Sequence, residues 1–272
     1  YQEHPYRWPT IGKVPEHVSE ASLEEVKAFY EKYYAPNNAV LVIAGRVNIS
    51  ETRRLVEKWF GHIPARPMIE RRLPTEPPQR RFQRRVLHDK APADALYLAF
   101  HIPSRVDADY YGVDLLSDVL GNGPSSRLYR RLLKERTLFS AVDCYITGTI
   151  DPGLLIIEAK PLEGVSLDNA RAAIWAELEE LKTNGIPARE LEKLQNKVES
   201  TLAFSELSIL NKAINLAFFE VLGNAELINQ EVHLYRRVDT ATIQRLAQQI
   251  FVEENCSDVS YELPQARPLV VS

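Results

Sequence analysis

The stretch Tyr33-Tyr34-Ala35-Pro36-Asn37-Asn38-Ala39-Val40-Leu41-Val42-Ile43-Ala44-Gly45 changes its apolar period halfway along. Upstream of it, Leu23, Val26, Phe29, Tyr30 and Tyr33 recur at helical spacing, and Ser22-Leu23-Glu24-Glu25 reads as a capping box, so a helix is predicted over 22–34. Asn37-Asn38 breaks the helix. Residues 39–44 are continuously apolar and of strand length, and Gly45 ends the run. Ser50 is then placed to cap a second amphipathic helix with Leu55, Val56, Trp59 and Phe60 on one face. The unit is helix, strand, helix.

Outward from this unit, the segment from Gly61 to Arg81 holds Pro64, Pro67, Pro74, Pro77 and Pro78 with many charges, which favours extended chain; residues 65–81 are read as an interdomain linker. Residues 82–87 look like a short strand, and Leu96, Leu98, Phe100 and Ile102 alternate on one face of another. Helices are expected over 107–120 and 125–136, the second capped by Ser125, with Gly121-Asn122-Gly123-Pro124 as a hinge between them. Strands near 139–148 and 153–160 flank the turn Asp151-Pro152-Gly153 and form an antiparallel hairpin. A helix runs from Ser166 to Asn184, Gly185 stops it, and Pro187 opens a long helical tract that extends with a break to Leu222. Asp239 or Thr240 begins the last helix, and 257–263 is a closing strand.

The end of the chain repeats its beginning. Laying Tyr34 on Phe251, an offset of 217, puts Val26 on Ile243, Phe29 on Leu246, Tyr33 on Ile250 and Asn38 on Asn255, each pair at the same point of a helix, Asn, strand order. If the second copy starts near Phe82, more than a hundred residues of the first copy are expected upstream of Tyr1. The opening Tyr1-Gln2-Glu3-His4-Pro5, neither an initiator Met nor a signal peptide, fits that expectation.

Composition excludes several function classes. The 272 residues are 45% hydrophobic and 26% charged, enough for one large or two modest domains, and a net charge of −4 gives no field to gather nucleic acid. No apolar run reaches the roughly 20 residues of a membrane span. Cys144 and Cys256 lie far apart in strand-like runs and read as buried free thiols, which favours a reducing, cytoplasmic setting. The six histidines (His4, His17, His62, His88, His101 and His233) include no i, i+4 pair, and neither H-E-x-x-H nor H-x-x-E-H occurs. Glu3-His4 and Glu16-His17 hold only the final dipeptide of the inverted motif and read as exposed loop histidines, while His101 reads as a half-buried strand residue. Glu179-Glu180, Glu190 and Glu192 read as salt-bridged, solvated helix surface.

The residues also carry a resemblance. His4-Pro5-Tyr6, Gly12, Ser22 to Tyr30 and the Tyr33 to Gly45 block are similar to the block that follows the metal site in the pitrilysin, mitochondrial processing peptidase and insulin-degrading enzyme family of inverted-motif zinc metallopeptidases. Trp59-Phe60-Gly61-His62-Ile63-Pro64 resembles the end of that family's first repeat. Leu115 to Tyr129, with Ser125-Ser126-Arg127-Leu128-Tyr129 at its end, resembles a segment of its second. The resemblance implies an α+β fold of mostly antiparallel sheet with helices packed on it: one complete repeat of a two-repeat half-clamshell, 82–272, preceded by the end of another, 1–64.

For function, the resemblance implies a zinc-dependent metallopeptidase that hydrolyses peptides in an enclosed chamber. This chain would form a chamber wall, with the zinc ligands and catalytic residues upstream of Tyr1 and neither metal nor cofactor held here. Its partners would be the amino-terminal repeat of the same protein, a homologous partner subunit and a peptide substrate. The family's second repeat often supplies an Arg and, seven residues on, a Tyr to the substrate backbone and the tetrahedral intermediate; here these positions hold Leu133 and Ser140, with Lys134 and Arg136 as nearby substitutes. Leucine cannot stabilise an oxyanion and serine is too short to replace a phenol. A catalytically silent, structural or substrate-holding subunit of the same family is the alternative.

Overall fold

A computed structural model describes residues 1–67, 70–88 and 93–263. The chain gathers into two compact units, residues 1–77 with 202–230, and residues 78–201 with the stretch from 231 onward.

The second unit is built on a five-stranded sheet of β1 (Gln83–His88), β2 (Ala95–Ile102), β3 (Phe139–Ile146), β4 (Gly153–Pro161) and β5 (Cys256–Glu262). The spatial order is β1-β5-β2-β4-β3, antiparallel except for the parallel β1–β5 pair. Strand alternation divides it into two faces. Leu96, Leu98, Phe100, Leu155, Ile157, Ala159, Val142, Cys144 and Cys256 are buried. They lie under α4 (Tyr110–Leu120), α5 (Leu167–Asn184) and α9 (Thr240–Ile250). Phe100 anchors that core, meeting Phe251 edge-on at 5.2 Å and Trp175 at 5.8 Å between centroids. Helix approach is close enough to demand glycine: a Cβ on Gly112 would stand 2.5 Å from Leu246 Cδ1, and one on Gly121, at the end of α4, would collide with the backbone N of Cys144.

Buried arginines tie the surrounding helices together. Arg127, in the Ser-Ser-Arg-Leu-Tyr segment, donates to Glu180 at 2.7 Å, Glu190 at 2.9 Å and the Gly185 carbonyl at 3.0 Å. It joins the end of α5 to the start of α6 (Ala188–Ser205). Arg105 donates to Glu231 at 2.6 Å, and Arg171 reaches the fully buried Asp258. Removing one partner from such a site strands a buried charge, a loss of about 3–5 kcal/mol. Glu180 and Glu190 are therefore not merely solvated surface.

Several expectations need correction. Residues 39–44 adopt no strand: among the described residues no neighbouring strand offers the ladder partners a strand requires. The helix after them, α3 (Ile49–Phe60), is capped by Asn48, whose side chain accepts from the Glu51 N–H, and not by Ser50. The helix expected from 107 begins at Tyr110. The one expected over 125–136 is a wide-turn π-helix, Tyr129–Glu135, and the Ser125 hydroxyl accepts from Lys193 at 2.7 Å instead of capping it. The long tract divides into α6 and α7 (Ile209–Val221), and a further helix, α8 (Leu227–Arg236), precedes the last one.

In the first unit a short α1 (Glu16–Ser19) precedes α2 (Leu23–Tyr33), whose Ser22–Glu25 capping box forms in full. His4 is buried at 4% exposure rather than exposed in a loop, and its Nδ1 accepts from the Tyr6 N–H at the start of a 3-10 turn. The N–H groups of Gln2, Glu3 and His4 converge on the Glu76 carboxylate at 2.6, 2.9 and 2.8 Å. Partial burial opposes ionisation of Glu76, but these three donors outweigh it and lower its pKa to about 2. Asn37 pairs in both directions with the backbone of Arg66, and Asn38 donates to the Tyr33 carbonyl at 2.8 Å, so each Asn of the Pro-Asn-Asn turn has its own task.

Candidate functional site

The outward face of the sheet, opposite the helices, presents half-buried and exposed residues in registered rows. One row of registered residues crosses all five strands: Arg85, Val259, Tyr97, Glu158 and Asp143. A second row runs Gln83, Ser257, Ala99, Ile156 and Tyr145. These residues are half-buried or exposed, so apolar and polar groups are both presented. Tyr97 donates to Glu158 at 3.3 Å; burial raises its pKa, and the adjacent Glu158 charge adds to the rise. His101 lies half-buried on the same face, as its strand alternation predicts.

At the β3 edge this face deepens into a cleft of about 490 Å³. Its walls are Gly121, Asn122 and Gly123 after α4, Tyr129 and Leu133 on the π-helix, residues 140–143 of β3, and Glu158 and Lys160 of β4. The structure thus brings the two sequence-predicted positions Leu133 and Ser140 onto one cleft. It brings neither substitute: Lys134 places its ammonium 5.4 Å from the Tyr129 ring centroid, Arg136 is exposed, and neither lines the cleft. Between Leu133 and Ser140, Thr137 holds a positive φ of 52°, a strained conformation for a β-branched residue, at the turn that returns the chain from helix to strand. Tyr129, Asp143, Glu158 and Lys160 were missed from sequence. The period-two pattern of β3 and β4 does put Asp143, Glu158 and Lys160 on one face, but nothing in it marks that face as the open one.

The Ser140 hydroxyl donates to the Lys160 carbonyl at 3.1 Å, with no histidine lining the cleft to act as its base. Burial drives the Cys144 thiol pKa far above its ordinary value and that of Cys256 up to about 12, so neither is a nucleophile. A smaller cleft of about 330 Å³ beside the first holds Asp114, Asp118 and Asp143; burial raises the pKa of both Asp114 and Asp118. Among the described residues no group of three or more His, Cys, Asp or Glu is placed to hold a metal ion. No single helix among them is long and apolar enough to cross a membrane.

Comparison with known proteins places this architecture. The zinc protease PqqE of Helicobacter pylori is 30% identical over 200 residues, covering 72% of this chain and 44% of that protein. The uncharacterized zinc protease YmxG of Bacillus subtilis is 25% identical over 255 residues, 93% of this chain and 61% of its own length. The chain thus spans about half the length of the curated relatives it matches. Among solved structures, a protease from Helicobacter pylori superposes with a TM-score of 0.87 at 24% identity, over 96% of this chain and 64% of that one. The peptidase M16 inactive domain from Pseudomonas fluorescens gives 0.83 at 18% identity, over 98% and 63%. These two likenesses establish the fold. The profile of the peptidase M16 inactive domain matches residues 20–198, about two-thirds of the sequence. On this match over more than half of its length, the chain belongs to the peptidase M16 family, as an inactive domain of pitrilysin-like zinc proteases.

Proposed function

We propose that this chain is one wall of an enclosed chamber in a longer zinc metallopeptidase, where it holds extended peptides for a zinc site carried by an amino-terminal repeat. The observation that carries the reading is the outward sheet face with a cleft at its β3 edge, a surface that can take main chain and mixed side chains. The zinc, when bound upstream, would supply an activated water. The residues described here would bind and orient the substrate. In this proposal residues 1–64 end the catalytic-type repeat, 65–81 link the repeats and 82–272 form the second. Support comes from a geometric echo at the 217-residue offset: Asn38 donates to the Tyr33 carbonyl at 2.8 Å and Asn255 to the Ile250 carbonyl at 3.0 Å.

The full-length protein should hydrolyse an unfolded polypeptide such as casein, lose that activity on chelation and regain it with zinc, while the 272-residue chain alone stays inactive. A second reading, a catalytically silent subunit that holds substrate for a homologous partner, is favoured by the leucine at 133 and the committed Ser140 hydroxyl. Full-length protein with no chelator-sensitive activity would decide for it.

A further inference from the structure

The two edges of the five-stranded sheet are finished differently. β3 slips its register between Phe139 and Ala141, a bulge-type break of the kind that turns an edge away from further pairing. β1 keeps straight register with β5 along its whole length, and among the described residues no backbone hydrogen bond reaches its other side. Gln83, Arg84, Arg85 and Val86 are exposed. The N–H and C=O groups along that side are therefore open to another strand.

This edge is also basic. From Pro77 to His88 the sequence holds Arg80, Arg81, Arg84 and Arg85 and no acidic residue, in a chain of net charge −4. Carboxylates near β1 are engaged elsewhere: Asp168 takes Arg84 at 3.2 Å and Arg171 at 2.5 Å, Asp258 is bound to Arg171, and Glu262 stands 3.8 Å from His88. The guanidinium groups of Arg80, Arg81 and Arg85 have neither hydrogen bond nor ion pair among the described residues. Nor do Arg80 and Arg81 sit on a loose approach. Gln79 donates to the Cys256 and Arg81 carbonyls at 2.7 and 3.0 Å and accepts from the Ser257 hydroxyl at 3.0 Å, which fastens this segment to the start of β5.

Charge decides what can occupy the edge. A second copy pairing β1 with β1 would set arginine against arginine, and like charges facing each other across strands are destabilising. A strand rich in carboxylates meets no such penalty. We infer that the free edge of β1 is a docking site for an acidic, extended segment of another polypeptide, which adds a sixth strand to the sheet and sets its carboxylates against Arg80, Arg81 and Arg85. Main-chain hydrogen bonds supply the grip, and the arginines select the partner. The site lies at the opposite edge of the sheet from the β3 cleft and does not depend on the peptide-wall reading.

The test is fluorescence anisotropy of a short fluorescein-labelled peptide of alternating Glu and Val, titrated with the whole chain at low ionic strength. Its controls are the Lys/Val counterpart and an N-methylated Glu/Val peptide that keeps the charge but loses the strand's donors. The Glu/Val peptide should bind, and both controls should bind at least about tenfold more weakly. Arg81→Gln with Arg85→Gln should weaken Glu/Val binding about 2- to 20-fold, the worth of two exposed ion pairs. Arg81→Glu with Arg85→Glu should shift the preference to the Lys/Val peptide. Bound Glu/Val peptide should also slow amide exchange in Gln83–His88 and leave that of β3 unchanged. A Lys/Val peptide that binds the unsubstituted chain equally well overturns the role of the arginines. An N-methylated peptide that binds equally well overturns the added strand and leaves a surface that collects any polyanion, nucleic acid or anionic membrane included. Absence of Glu/Val binding, or unchanged exchange in β1, overturns the site.

Discussion

Two regions of this molecule share one local plan and differ in everything beyond it. Residues 23–44 and 240–262 each run helix, three-residue 3-10 turn, then a segment of strand length. Their backbones agree in detail: the residue ending each helix, Tyr34 or Phe251, has φ and ψ of −98° and 69° or −87° and 61°, and the turns Pro36–Asn38 and Glu253–Asn255 sit 217 positions apart. Yet Phe251 and Ile243 are 0% exposed where Tyr34 and Val26 are 63% and 56% exposed. β5 lies between β1 and β2, whereas 39–44 pairs with nothing described. Local sequence sets helix, cap and turn; whether an apolar run becomes a strand depends on neighbours it does not encode.

The largest expected contrast is in amide exchange. The N–H groups of Cys256–Glu262, bonded on both sides, should exchange at least about a thousandfold more slowly than those of residues 39–44, because the first open only with the core and the second are already open. Equal rates, measured by hydrogen–deuterium exchange, would mean that 39–44 has found a partner. Stability should separate the copies next: Phe251→Ala should cost about 3–5 kcal/mol in urea unfolding, and Tyr34→Ala within about 0.5 kcal/mol. Comparable losses would erase the distinction between a buried and a bare copy. The smallest contrast concerns the shared asparagine. Asn255 donates to both the His101 and Ile250 carbonyls at 3.0 Å, so Asn255→Ala should cost about 1–2 kcal/mol. Asn38→Ala, losing one exposed bond, should cost a few tenths on the same assay.

Most of the fold was legible because its signals are local. Ser22, Ser166 and Asp239 each cap the helix assigned to them, and Gly185 ends α5 with a positive φ of 63°. The alternation in Leu96 to Ile102 named the buried face of β2 correctly. What failed was non-local. Residues 39–44 have strand composition without a ladder, and Ser50 lost its cap to Asn48 two residues earlier. His4 is buried through backbone contacts to Glu76, more than seventy positions away, which no motif announces. The candidate site was legible only as two vacancies, Leu133 and Ser140. The other polar residues of the cleft, Tyr129, Asp143, Glu158 and Lys160, meet only in three dimensions, and partners 40 or more residues apart, such as Tyr97 and Glu158, do not show in a linear pattern.

The π-helix that carries Tyr129 and Leu133 has an evolutionary consequence. Such a helix packs more residues into each hydrogen-bonded turn than an α-helix, and loss of a single codon is enough to return it toward the regular form. That deletion would rotate the following side chains around the axis by about a quarter of a turn or more. A different residue would then face β3, with the sheet untouched. The cleft wall that this helix forms can thus be re-addressed by length change alone, in a segment where an alignment would register no more than a gap.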